Sequence, residues 1–141
     1  MSIIYLDNRV TEITSKYAET IGVLYLLDFA AKSIENTALN GAKDTIERCL
    51  DLLNGGSELM DILLEEPKEL DISIILSSYR RMVEARSLLE HCVTGIYLTD
   101  SEASKHKSYL TQALFAADSL LYDLLNKYED ILKNPPTKQA A

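Results

Sequence analysis

The 141-residue chain has no tryptophan, only two phenylalanines, five glycines, three prolines and two cysteines. Each scarcity excludes something. So few glycines and prolines leave few enforced breaks, which argues against many short strands joined by tight turns and for long helices. Cys49 and Cys92 stand in separate segments, among apolar neighbours and without metal-ligand spacing. That excludes a disulfide-rich scaffold or a thiolate metal site and leaves two small buried hydrophobes in a reducing compartment. Basic residues are also short, 14 against 22 acidic, for a formal net charge of -8 and a pI near 4.7. Such a surface repels a phosphate backbone, so no nucleic-acid partner is expected. The densest basic groups, Arg80-Arg81 and Lys105-His106-Lys107, read as solvated helix faces. The amino-terminal residues lack the basic stretch and cleavage site of a signal peptide. The most apolar run, residues 21–31, is too short to span a bilayer. A cytoplasmic protein without a membrane span is the expectation.

What is present is helical periodicity in four arms. At about 100° per residue, Ile13, Tyr17, Ile21, Leu24, Ala31, Ile34 and Ala38 fall on one stripe of the first helix, with Asp28 inside it. Asn40-Gly41 supplies a stop. The second arm carries Ile46, Cys49, Leu50, Leu53, Met60, Leu63 and Leu64 and is kinked or split at Gly55-Gly56. Pro67 suits the first turn of the third, whose stripe is Ile75, Tyr79, Met82, Leu89, Val93 and Ile96, with Arg86 among them. Thr99 to Glu102 has capping-box spacing. It opens a fourth helix striped by Ala103, Leu110, Leu114, Ala117, Leu121, Leu124, Tyr128 and Ile131. No segment has the period of a strand. Four amphipathic helices with short connections predict an all-α, antiparallel up-and-down four-helix bundle. Residues 1–133 form its single domain, and 134–141 form a disordered tail after Asn134-Pro135-Pro136.

The first helix is unusual in being apolar on two sides. Val23, Leu26, Phe29 and Ala30 lie opposite the inward stripe, flanked by Glu12, Glu19, Ser33 and Thr37. Such a local second face is either covered by the chain's own fold or binds a partner helix. A charge within an apolar stripe needs a counter-charge. Asp28 and Arg86 are therefore expected to form an ion pair across the bundle.

Signals for catalysis are sparse. Gly55-Gly56 has neither the further glycine nor the Lys-Ser/Thr of a phosphate-binding loop. Glu102 and His106 share a helix face but make an incomplete metal site. No metal or other cofactor is expected. Arg86-Ser87-Leu88-Leu89-Glu90-His91 resembles the motif of HEPN-type ribonucleases. That resemblance implies Arg86 steadying phosphate charge and His91 acting on the 2′-hydroxyl or leaving group. Five residues of continuous helix, however, turn by about 140°, which points His91 to solvent while Arg86 faces inward.

A second resemblance covers more of the chain. Leu24-Tyr25 with Asp28-Phe29-Ala30-Ala31 resembles the first long helix of FliS-type flagellar export chaperones. Tyr5 to Thr11 is similar to that family's amino-terminal segment, and Tyr79 to Ala85 to part of its third long helix. The likeness extends loosely over residues 5–130. It implies a non-enzymatic, cytoplasmic four-helix chaperone that holds helices of a client such as flagellin in an apolar groove. Val23, Leu26, Phe29 and Ala30 would then contact the client. The remaining alternative is a helical adaptor that self-associates.

Overall fold

Asp7 fixes where the first helix starts. Its carboxylate accepts from the backbone N–H groups of Arg9 and Val10, donors that a helix amino terminus leaves without partners. Helix α1 (Asn8–Lys32) then runs for 25 residues. The computed structural model describes residues 3–33, 40–55, 57–97 and 104–136. Its elements are β1 (Ile3–Tyr5), α1, α2 (Asn40–Gly55), α3 (Ser57–Leu64), β2 (Glu69–Asp71), α4 (Ile72–Tyr97) and α5 (Ser104–Lys133).

The architecture is the expected all-α bundle. α1 and α4 each pack on both α2 and α5, so the arms form a ring in the order α1, α2, α4, α5. Cross-bundle contacts give the directions. Arg9 meets Asp130 and Glu12 meets Lys127; Cys49 lies on the Ala85 carbonyl and Cys92 on that of Ala42. One index rises as the other falls, so neighbouring arms are antiparallel.

α1 buries Val10, Ile13, Tyr17, Thr20, Leu24, Leu27 and Ala31, a stripe whose steps alternate between three and four residues. Leu27 takes the inward place expected of Ile21, which is only half-buried. In α5 the buried set includes Leu110, Leu114, Ala117, Leu121, Leu124, Tyr128 and Ile131, as the periodicity predicts. In α4, Ile75, Met82 and Leu89 face inward. Tyr79 sits at the bundle edge, where its hydroxyl donates to Glu129 Oε1 at 2.9 Å. Ile34, Ala38, Ala103 and the side chains of Val93 and Ile96 lie outside what is described.

The second arm is split, and the split changes its phase. Beyond Gly55 the buried residues are Leu59 and Leu63, whereas Met60 is half-buried and Leu64 is exposed. The expected inward places of Met60 and Leu64 are therefore corrected: α3 turns Leu59 and Leu63 inward, a different phase from that of α2. The break also orphans carbonyls at the end of α2. The Tyr17 hydroxyl, from α1, donates to one of them, Leu53 O. A side chain at position 55 would begin 3.2 Å from Arg81 Nη1, so the glycine also leaves room for that guanidinium.

Four further expectations are revised. Two short strands exist after all: β1 and β2 pair antiparallel with Ile4 opposite Leu70, and both side chains are buried. Tyr5 N–H donates to Pro136 O at 2.7 Å, so the chain is held through Pro136 and not released at Asn134. Thr137–Ala141 lie outside the described residues. Pro67 belongs to the link into β2 and not to α4, because Glu66, at φ 49°, ends the preceding turn in the left-handed region. Asn40-Gly41 opens α2, so it is a start and not the stop of α1. The Thr99–Glu102 capping box falls outside the described residues.

Burial pushes the Cys49 thiol from 9.0 up to about 12 and the Cys92 thiol up to about 11; it also raises the Tyr17 hydroxyl from 10.0 to about 12. The native state thus holds these protons more tightly than the unfolded chain does. Stability should be complete below about pH 9 and decline as pH rises toward 12. Urea midpoints measured across that range should fall; a midpoint unchanged between pH 9 and 11 would contradict the buried placement of these groups.

Candidate functional site

A ring of four helices covers each arm only toward its two neighbours and the centre. α1 leans on α2 and α5, and its fourth side is open. On that side stand Gly22, Tyr25, Leu26, Phe29 and Ala30, all exposed, with Leu26 at 72% and Phe29 at 77%. Three of the four residues expected to contact a partner are thus together on one uncovered face. Val23 is at its edge, half-buried and packed against the core. Tyr25 belongs to the face although the sequence reading passed over it; its hydroxyl accepts from Asn54 Nδ2 at 2.9 Å. Its position was legible, since 22, 25, 26 and 29 follow helical spacing.

The charges bordering this face are already compensated. Glu19 pairs with Lys16 at 3.3 Å, and Lys32 pairs with Asp28 at 3.0 Å. A protein of net charge -8 therefore presents a locally neutral, apolar strip. Gly22 adds a local anomaly. A glycine inside a helix costs about 1 kcal/mol relative to alanine, yet a Cβ at this position would meet nothing within 4 Å. Nothing within the fold requires glycine there.

The predicted Asp28–Arg86 pair does not form. Arg86 Nε donates to Asp118 Oδ1 at 2.9 Å, its Nη2 lies 3.4 Å from Oδ2, and the guanidinium stands 4.9 Å from the centroid of the Tyr122 ring. The hydrogen bond that Arg86 donates to Asp118 is the main reason the Arg86 pKa is raised. Asp28 instead takes Lys32, one turn on, with its own side chain 13% exposed. The ring order supplies the reason: α4 stands across the bundle from α1, while Asp118 is on the adjacent α5.

The same contacts bear on the Arg86 and His91 motif. His91 is exposed, and Arg86 is held between Asp118 and Tyr122, so the structure does not bring the two together around a common substrate position. Beside that pair, Val83, Phe115 and Tyr122 are exposed, a second apolar area that the sequence reading missed. Phe115 and Tyr122 are seven residues apart, which places them on one face of α5. A shallow groove between α1 and α5 is lined by Arg9, Glu12, Lys127 and Asp130, whose charges pair as Arg9–Asp130 and Lys127–Glu12.

Among the described residues no group of three or more His, Cys, Asp or Glu is placed to hold a metal ion, and no helix is long and apolar enough to cross a membrane. Glu102 and the His106 side chain lie outside that description. No family model matches the sequence, and no curated protein or solved structure matches it either.

The division of α1 into two sides is testable at neighbouring positions. Leu24→Ala should cost about 2–5 kcal/mol, whereas Leu26→Ala should stay within about 0.5 kcal/mol. Similar losses by chemical denaturation would overturn the assignment of inward and outward sides. A double-mutant cycle on Arg86 and Asp118 should show a coupling of about 1 kcal/mol or less, given a half-exposed pair. A cycle on Asp28 and Arg86 should show none.

Proposed function

We propose that this protein is a non-enzymatic helix-binding protein of export-chaperone type, which holds a helix of a client such as flagellin against the open side of α1. The observation that carries this reading is the exposure of Leu26 and Phe29, at 72% and 77%, in the most apolar run of the chain. Isolated exposed leucines are unremarkable, but here Tyr25, Leu26 and Phe29 are contiguous. Together they expose roughly 400 Å², an extent at which the largest apolar patch of a monomer is often a docking site.

The geometry favours a helical partner. Anchors at positions 22, 25, 26 and 29 form a straight strip along the α1 axis, which suits the apolar side of an amphipathic helix laid beside it. Local neutrality favours a partner whose contacting side is apolar, with polar residues reserved for solvent. The rigid bundle behind the strip keeps the entropic cost of binding low, because the anchors are already on a formed helix.

A labelled peptide with the sequence of a flagellin carboxy-terminal helix, titrated against the full chain and followed by anisotropy, tests the proposal. Binding should weaken by about tenfold or more in Phe29→Asp, the loss expected when a central anchor is removed. Circular dichroism should be unchanged, because the side chain lies outside the core. Undiminished binding by the folded variant would reject this face as the site.

A further inference from the structure

We infer that the open side of α1 is also a self-docking surface, on which two copies of the chain pair through antiparallel α1 helices crossing at Gly22. Three observations converge on a second copy as the occupant. The first is the unexplained glycine. Gly22 lies within a 25-residue helix, is exposed, and has open space where a side chain would stand. Glycine in such a place allows another backbone to approach closely.

The second observation is the order of sizes along the face. Along the strip the exposed residues before Gly22 include the small Ser15 and Ala18, with Glu19 beside them; those after it include the large Tyr25, Leu26 and Phe29. Reversing the helix about Gly22 sets Leu26 of one copy opposite Ala18 of the other, and Phe29 opposite Ser15. Two of the three large residues thus meet small ones, and Tyr25 meets Glu19, in the paired arrangement that a two-fold interface demands.

The third is area set against need. Tyr25, Leu26 and Phe29 with the small residues around them offer roughly 600 Å² per copy, or about 1,200 Å² in all, the lower bound for a specific interface. The dimer is accordingly weak and dependent on concentration. Compensation of Glu19 and Lys32 by Lys16 and Asp28 removes local repulsion between chains that each carry a charge of -8. This inference rests on the reading of the face as a docking surface, and it makes the second copy a competitor of the client.

Sedimentation velocity of the full chain from about 5 to about 500 µM tests it, a range that brackets a micromolar dissociation constant. The wild type should pass from monomer to dimer. Phe29→Asp should remain monomeric, and Gly22→Leu, which fills the crossing point without touching the fold, should raise the dissociation constant about tenfold or more. A wild type monomeric throughout, or a dimer indifferent to both substitutions, overturns the inference. The flagellin-helix titration separates the two proposals. Peptide binding by a chain that never dimerises sinks only the dimer; a Gly22-dependent dimer that ignores the peptide supports the dimer and sinks only the client reading.

Discussion

In a ring of four packed helices every arm has a far side that no part of the ring can reach. Three arms of this ring meet that constraint with polar or mixed surfaces. The second arm turns Glu47, Arg48, Asp51 and Asn54 outward, the α4 arm exposes Arg80, Glu84, Ser87 and His91 beside Val83, and α5 alternates Phe115 and Tyr122 with Ser119, Asp123 and Asn126. Among the described residues, α1 alone places consecutive large apolar residues there. The ring order also decides which charges can meet, giving Arg86 to Asp118 and Asp28 to Lys32. Both the open face and the ion pairs follow from that single arrangement of neighbours.

The break in the second arm is tied to the same helix. Tyr17 fills the core and caps the Leu53 carbonyl, and Tyr25, from the open side, receives a hydrogen bond from Asn54. Both contacts fall within the last turn of α2, where the ladder stops. The end of α2 is thereby held by side chains from α1, and α3 beyond it turns Leu59 and Leu63 into the core. The end of α2 is thus stitched to the helix that also carries the candidate site.

How far the sequence discloses this depends on how each element is specified. α5 was readable almost residue by residue, because thirty uninterrupted helical residues keep one phase. The second arm was readable only up to Gly55, since a broken ladder resets the phase and periodicity carries no memory across it. β1 and β2 are not legible because three residues are too few to show alternation; their pairing is set by the starts of α1 and α4 lying at the same end of the bundle, with Ile4 opposite Leu70. The Asp28–Arg86 expectation identified residues that need partners but could not choose between adjacent and diagonal helices. The outward face of α1 was visible as a pattern. Its exposure is decided by the ring order, in which no further element among the described residues covers it.

Positions 22, 26 and 29 separate folding from other demands on the chain. For helix stability alone, alanine would serve better than Gly22 and an alanine or glutamate better than Phe29. For solubility, a charged residue would serve better than Leu26 or Phe29. None of the three contributes to the buried core, and none is required by a turn or a close contact within the fold. Local choices that work against folding and have no compensation inside the structure are where a functional demand is to be sought. Their clustering within two turns, on the one side of α1 that its neighbours leave open, makes a docking surface the economical explanation. It also explains why the neighbouring inward residues, Leu24 and Leu27, follow the packing rules that these positions ignore.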